Sequence, residues 1–261
     1  MNSLLNQLVY HNFVEALREF GRWGCSNQLI EQDGLLCILG STTYPAITNC
    51  AIRLDPHLPA VEVISRAKSF FHPLQRDFTF YTYGEPDLDL EEQLRSADRQ
   101  LLLDTPVMVL DSEVELPPGP ASVEIRLATN EPDILDVRYV NSLGFETLEV
   151  PREHTTAIFS VTHRLLSPKI ITYIAYLDGQ PVSTAMVIMT ELVAGIYWVS
   201  TTPQARGQGL GTICTSLATN AGLQRGARVA SLQASPMGES VYRRIGYRSI
   251  ERMKCYLVSS G

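Results

Sequence analysis

The sequence predicts a mixed α/β (α+β) fold whose elements occur in the same order in both halves of the chain. Each half contains a hairpin pattern around an Asp-Gly turn, at Asp33-Gly34 and at Asp178-Gly179. Each hairpin is followed by strand, turn, helix, strand, helix and strand patterns. The 261 residues, 45% of them hydrophobic, are sufficient for one large globular domain or two smaller ones.

The first half begins with a helix pattern at 1–20, where apolar residues at helical spacing alternate with polar ones, unlike the unbroken apolar core of a signal peptide. The acidic, proline-rich segment 111–120 is typical of a linker, so we divide the chain into domains at 1–112 and 122–261 joined at 113–121. The other predicted elements of this half are strands around the turn within 27–40, a strand at 46–54, a helix at 60–71, a strand at 77–83, a helix at 88–101 and a strand at 106–110.

The second half repeats this order with one addition, a glycine-rich turn at 206–211 between a strand and a helix. No glycine occurs between Gly40 and Gly84, so the first half lacks a counterpart of that turn. The predicted elements are a strand at 123–126, helices at 133–143 and 152–162, strands at 169–177, 180–190 and 195–202, a helix at 212–226, a strand at 229–234, a helix at 239–245 and a strand pair within 247–258.

Composition excludes several classes of protein. The five cysteines form no CxxC pair and the five histidines no HxxxH or HxH pair, so we predict no metal and a reducing, cytoplasmic location. No window approaches the ~18 apolar residues of a membrane span, so no membrane association is expected. The net charge is −7, yet eight arginines and lysines face two acids between positions 203 and 254. That excess indicates a local polyanionic ligand, not nucleic acid, or else a solvated basic face.

The glycine turn is the strongest functional signal. Gly207, Gly209 and Gly211 allow the backbone to take conformations that a Cβ would obstruct, so that successive N–H groups can converge on an anion. The following helix adds its free N-terminal donors and the positive end of its dipole. The turn is therefore predicted to bind phosphate, and the alternative is a tight turn that binds nothing.

Close rival motifs do not fit. A nucleotide P-loop needs a lysine after its last glycine, and none lies between Lys169 and Lys254. The dinucleotide fingerprint needs glycine where Thr212 stands and an acidic partner for the ribose, but no Asp or Glu lies between Glu191 and Glu239.

The turn resembles the signature of the GNAT superfamily of coenzyme-A-dependent N-acyltransferases, [Q/R]-x-x-G-x-[G/A], which Arg206-Gly207-Gln208-Gly209-Leu210-Gly211 matches in full. A second element similar to that family follows at 232–247, an apolar strand and a short helix that ends in Tyr242 before a glycine and an aromatic residue. The resemblance covers about residues 122–258. It implies a mixed, mostly antiparallel sheet flanked by helices. The first 110 residues match only in element order, from which we expect two tandem GNAT-like domains, the first a degenerate copy without the phosphate turn.

The resemblance also implies roles for particular residues. The backbone at Val199, Ser200 and Thr201 would run beside the pantetheine arm of acetyl-CoA, and N–H groups from the turn would hold the pyrophosphate. Tyr242 would act on the leaving thiolate, with packing beneath the sheet as the alternative. Ser235 stands where many members have an asparagine that binds the pantetheine, and no base is assigned. The predicted site is catalytic Tyr242 with cofactor-binding Val199, Ser200, Thr201, Arg206, Gly207, Gln208, Gly209, Leu210, Gly211, Thr212 and Ser235.

The implied function is transfer of an acetyl group from acetyl-CoA to a primary amine, of a small molecule or an exposed peptide, by direct attack in a ternary complex. A non-catalytic acyl-CoA sensor or scaffold is the alternative. A monomer or a homodimer is expected. A proton transfer from Tyr242 to a thiolate is uphill by about 2 kcal/mol at ordinary pKa values, so Tyr242 is expected to act by hydrogen bonding.

Overall fold

A computed structural model describes residues 2–260; Met1 and Gly261, the outermost residues of the two predicted domains, lie outside the described residues. The helices are α1 (Asn2–Trp23), α2 (Ala60–Phe71), α3 (Leu88–Ser96), α4 (Glu131–Glu146), α5 (Arg152–Ile158), α6 (Leu210–Gln224) and α7 (Glu239–Ile245). The strands are β1 (Gln28–Gln32), β2 (Leu35–Leu39), β3 (Asn49–Arg53), β4 (Phe78–Tyr83), β5 (Leu101–Leu110), β6 (Val123–Leu127), β7 (Ile170–Leu177), β8 (Gln180–Met189), β9 (Val193–Thr201), β10 (Val229–Gln233) and β11 (Arg248–Val258).

The strands form one mixed, mostly antiparallel sheet, which confirms the predicted fold class. The strand order is β1-β2-β3-β4-β11-β5-β10-β9-β8-β7-β6. Only the β3–β4 and β9–β10 pairs are parallel. From either edge, the sheet thus runs inward through antiparallel strands to one parallel pair.

Two strands at the centre exchange places between the halves of the chain. β5, the last strand before the 111–120 segment, lies between β11 and β10, while β11, the last strand of the chain, lies between β4 and β5. Each half therefore completes the hydrogen bonding of the other. The 111–120 segment itself lies along α6, where Val114 exchanges two hydrogen bonds with the amide of Asn220.

The helices cover both faces of the sheet. α1, α4 and α5 pack on one face, over a core that joins Leu17 to Tyr197 and Trp198. α6 and α7 pack on the other face beside α2 and α3. α1 is tied to the second half because Asn12 donates to the carbonyls of Ile188 and Val193, at 3.0 and 3.3 Å, and accepts from the hydroxyl of Tyr197 at 2.8 Å.

The structure corrects three of the predicted elements. The helix predicted at 152–162 ends at Ile158. Residues 247–258 are not a strand pair, because β11 is one strand that is paired along both edges. The helix predicted at 88–101 ends at Ser96; Asp98 follows in the left-handed region (φ 51°), and β5 already begins at Leu101. None of the helices described within 2–260 is long and apolar enough to cross a membrane.

Candidate active site

A cleft opens where β9 and β10 separate. The two strands pair only from Val193 to Gly195 on β9, and the rest of β9 diverges from its neighbour. The cleft holds a cavity of about 230 Å³ lined by the end of β9, the start of α6 and the segment from Ser235 to Tyr242. A split between parallel strands exposes backbone that a continuous sheet would pair, so the cleft can receive an extended ligand.

A bulge in β9 shapes the wall of this cleft. The pairing with β8 shifts between Tyr197 and Ser200, where β9 carries one residue more than its partner. Trp198 lies in this bulge with φ 50°, a conformation that costs a bulky side chain energy and persists only where packing enforces it. Phe20, Phe145 and Phe159 enclose its ring at centroid distances of 5.4, 5.0 and 4.8 Å.

The glycine turn presents a row of unpaired donors. Gly207 and Gly209 both have φ 78°, and Gly209 is the N-cap of α6 without any side-chain cap. Within residues 2–260, no protein group accepts a hydrogen bond from the backbone N–H of any residue from 207 to 212. Such N–H groups at a helix N-terminus favour an anion, so the turn has the chemistry that a pyrophosphate requires.

Arg206 is held at the edge of the turn. Its side chain donates to the carbonyl of Thr201 at 3.3 Å and to the hydroxyl of Thr147 at 2.7 Å, which links the turn to β9 and to the end of α4. Among the other basic residues of the 203–254 segment, Arg244 lines a neighbouring cavity together with Thr212. Four of them are paired with carboxylates: Arg243, Arg248, Arg252 and Lys254. Three acids from outside the segment, Glu91, Asp104 and Asp111, therefore offset half of its excess of six positive charges.

Tyr242 faces the cavity from α7. The residue is 9% exposed, and its hydroxyl forms no hydrogen bond to another described residue. Burial raises the pKa of Tyr242 to about 12. The hydroxyl is thus a protonated donor throughout the neutral range and has no competing acceptor.

Ser235 lines the same cavity but is partly engaged. Its hydroxyl accepts from the N–H of Gly238 at 3.1 Å, which fixes the turn into α7. The hydroxyl proton stays free to donate, since a hydroxyl can donate and accept at once. Gly238 permits this packing, because a Cβ there would lie 2.8 Å from the ring of Tyr242.

The predicted residues divide into two groups around this cleft. The cavity wall contains Val199, Ser200, Thr201, Arg206, Gly211, Ser235 and Tyr242. The other group lies outside that wall, along the turn and the first residues of α6: Gly207, Gln208, Gly209, Leu210 and Thr212. Thr212 instead borders a neighbouring cavity of about 310 Å³ beside Arg244.

Sequence reasoning missed the residues that come from α4. Gly144 lies so close to β9 that a Cβ would be 1.8 Å from the hydroxyl oxygen of Ser200. Phe145, Leu148 and Met237 add an apolar rim to the cavity. The sequence pattern ends the predicted helix at residue 143, whereas α4 continues to Glu146 and includes Gly144. The packing reason for this glycine depends on a strand distant in the sequence, so no local pattern indicated it.

Three residues whose side chains could serve as a base or a nucleophile, Glu146, Glu149 and Cys214, take no part in the cavity wall. Glu146 pairs with Arg152 at 2.6 Å, and Glu149 is exposed. Cys214 is fully buried, and burial raises the pKa of its thiol to about 12, which disfavours the nucleophilic thiolate. Within residues 2–260, no group of three histidine, cysteine, aspartate or glutamate side chains is arranged to hold a metal ion.

Comparisons with known proteins agree with this geometry. Residues 139–247 match the model of the acetyltransferase (GNAT) family. A GCN5-related N-acetyltransferase from Kribbella flavida is similar in structure, with a TM-score of 0.68 and 19% identity over 94% of this chain and 93% of that one. A GCN5-related N-acetyltransferase from Sphaerobacter thermophilus aligns with a TM-score of 0.61 and 15% identity over 90% and 76%.

A tandem GNAT protein from the clavulanic acid biosynthesis pathway also matches in structure, with a TM-score of 0.64 and 13% identity over 91% of this chain and 85% of that one. No match was found among curated proteins. The structural matches cover both halves of the chain, whereas the family model covers the half that contains the glycine turn. Residues 139–247 are therefore a domain of the acetyltransferase (GNAT) family, and the chain that carries it is an acyltransferase.

Proposed function

We propose that the protein transfers an acetyl group from acetyl-CoA to a primary amine of a small molecule or an exposed peptide, by direct attack within a ternary complex. The observation that carries the proposal is the row of unaccepted N–H groups from 207 to 212 beside a cavity that reaches Tyr242. These donors would hold the pyrophosphate, and the end of β9 would lie along the pantetheine arm. Acetyl-CoA would supply the reactive thioester.

Tyr242 would stabilise the leaving thiolate by hydrogen bonding. With the pKa of Tyr242 at about 12 and that of a free thiol at about 8.5, full proton transfer would be uphill by about 5 kcal/mol. A hydrogen bond to a charged acceptor contributes about 1.5–3 kcal/mol without that transfer. The geometry thus favours Tyr242 as a donor that keeps its proton until solvent neutralises the thiolate.

The acceptor amine would have to arrive as its neutral form. Arg206 and Tyr242 are the ionisable residues of the described cavity wall, and neither can serve as a base near neutral pH. A primary alkylamine has a pKa near 10, so the reactive fraction rises with pH across the range in which the protein is assayed. Positioning of the amine against the thioester would be the main contribution of the protein.

We also infer that the chain consists of two GNAT-like halves, 1–112 and 122–261, of which the second binds the coenzyme. The parallel pair β3–β4 would be the first half's counterpart of β9–β10. Arg53 lies at the end of β3, where its buried guanidinium contacts Asp87 and Asp89. Because the donors of Arg53 are engaged and the first half has no glycine turn, these contacts support a first half that does not hold the coenzyme pyrophosphate as the second half does.

Thiol release from acetyl-CoA, measured with a panel of alkylamines, arylalkylamines and short peptides, tests the proposal. We expect release that depends on the amine and whose kcat/KM rises with pH. The described cavity wall contains no carboxylate or histidine that could act as a base, which also suits a non-catalytic acyl-CoA sensor. Tight coenzyme binding without amine-dependent release over the panel would favour that alternative and contradict the transferase.

A further inference from the structure

A second cavity lies at the opposite end of the sheet. β3 and β4 pair from Cys50 to Ile52 and then separate, as β9 and β10 do after Gly195. From β4 through β11 and β5 to β10, each strand is antiparallel to the next, so the β3–β4 pair points opposite to the β9–β10 pair. The two clefts therefore open at opposite edges of the sheet, beyond the ends of its strands. The second cleft holds a cavity of about 440 Å³ that α1, β11 and the turn after β4 help to line. That volume suits a small organic ligand.

Arg53 cannot offer its charge to a ligand in this cavity. Its guanidinium donates to Asp87 at 3.0 Å, to both carboxylate oxygens of Asp89 at 2.7 and 3.1 Å, and to the carbonyls of Leu58 and Pro86 at 3.0 and 2.5 Å. All five of its N–H donors are engaged. An anion would therefore find no free donor from Arg53.

The remaining charge in the cavity wall is negative. Among the described residues, three carboxylates, from Glu85, Asp87 and Glu251, line the cavity together with one cation, Arg53, which gives these side chains a formal charge of −2. Asp87 is paired with Arg53, but no ion pair to Glu85 or Glu251 occurs in the described part of the chain. Uncompensated carboxylates beside a cavity favour a cationic ligand.

Two buried acceptors in the wall have no partner. The hydroxyl oxygen of Tyr83, a residue that is 5% exposed, and Oδ1 of Asn6 form no hydrogen bond within residues 2–260. Both residues interact with Glu251. The side-chain amide of Asn6 donates to the Glu251 carboxylate at 3.5 Å. The pKa of Tyr83 is raised mainly by burial and in addition by the negative charge of Glu251. A buried polar atom without a partner costs free energy, so these atoms indicate a ligand that pairs with them.

The three acceptors match a primary ammonium, which carries three N–H donors. Tyr83, Asn6 and Glu251 would each accept one of them. The rings of Tyr10 and Tyr83, with centroids 5.1 Å apart, form an aromatic wall of the kind that attracts organic cations. Leu54 and Pro56 add apolar surface for a short alkyl stem.

We propose that this cavity is a second ligand site, which binds a small primary alkylammonium through Asn6, Tyr83 and Glu251. The site is independent of the coenzyme cleft, and its occupancy does not require the transferase activity. Gly84 leaves room for the Glu251 carboxylate in this site. A Cβ at this position, which has φ 61°, would lie 2.5 Å from a carboxylate oxygen of Glu251.

Calorimetric titration of the full chain with n-pentylammonium tests the proposal, with n-pentanol as the neutral analogue of equal shape. We expect the ammonium to bind at least tenfold more tightly than the alcohol, with or without saturating coenzyme A. Equal affinity for the two compounds, or loss of ammonium binding when coenzyme A is added, would overturn the assignment.

Two variants locate the site. Tyr83→Phe removes a hydroxyl that has no partner, so we expect unchanged thermal stability and about tenfold weaker ammonium binding. Glu251→Gln should abolish the preference for the ammonium over the alcohol, whereas the control Glu191→Gln, an exposed carboxylate between β8 and β9, should leave it unchanged. If both Tyr83→Phe and Glu251→Gln bind the ammonium as tightly as the wild type, the proposal is contradicted. If one variant folds poorly, the other still decides the outcome.

Discussion

Replacement of Tyr242 by phenylalanine separates hydrogen bonding from proton transfer at the leaving thiolate. The variant keeps the ring that packs against Tyr247 at a centroid distance of 6.1 Å and removes only the hydroxyl. A hydrogen bond to a charged acceptor contributes about 1.5–3 kcal/mol, so kcat should fall by roughly 10- to 150-fold. Coenzyme affinity should change little, because this hydrogen bond strengthens as the thiolate forms.

The pH dependence of activity distinguishes a Tyr242 that keeps its proton from one that loses it. Burial raises the pKa of Tyr242 to about 12, so the donor form persists at every pH below that value. Wild-type activity should therefore rise with pH as the amine loses its proton. Because Tyr242 keeps its proton, activity should not fall between pH 8 and 11 in the wild type, and Tyr242→Phe should leave the shape of the profile unchanged. Thiol release measured across this range checks both points. Unchanged turnover in the variant, or a falling limb that disappears with the hydroxyl, would refute the reasoning.

Three further predictions concern the scaffold. Gly209→Ala should lower the unfolding free energy by about 1–2 kcal/mol, because Gly209 has a φ of 78°, and it should weaken coenzyme A binding in calorimetry. The control is Gly226→Ala, since Gly226 also has a positive φ and open space around it. This control should lower the unfolding free energy by a similar amount and leave coenzyme A binding unchanged. Gly144→Ala should destabilise the fold by about 1–3 kcal/mol in urea titrations through its clash with Ser200, and adding Ser200→Ala should restore part of the loss; no recovery would contradict the contact. Burial lowers the pKa of His154 to about 4, so the unfolding free energy should fall by about 3 kcal/mol as pH drops from 6.5 to 4, and His154→Phe should flatten this slope; an equal slope in the variant would exclude His154 as its source.

The local parts of this structure were predictable from sequence, because their physical causes are local. The glycine turn was recognised because Gly207 and Gly209 need positive φ and precede a helix. The order of strands and helices followed from periodicity, hairpin turns and proline breaks. The predicted residues Thr201, Arg206 and Tyr242 do meet at one cavity.

The parts that sequence reasoning missed depend on contacts between distant segments. The exchange of β5 and β11 is decided by pairing across more than a hundred residues, which no local pattern records. The strain at Trp198 persists because rings from α1, from α4 and from Phe159, the residue after α5, enclose it. Arg53 has the sequence context of an ordinary strand residue, and its burial became clear only with Asp87 and Asp89 in place.

The proposed function depends most on the turn as the holder of the coenzyme pyrophosphate. Calorimetric titration with coenzyme A and with pantetheine, which lacks the pyrophosphate and the 3′-phosphoadenosine attached to it, tests this dependence. If even two of the N–H groups from 207 to 212 bind phosphate oxygens, at about 1.5–3 kcal/mol each, coenzyme A should bind at least ~100-fold more tightly than pantetheine. Equal affinities for the two ligands would contradict the assignment of the turn.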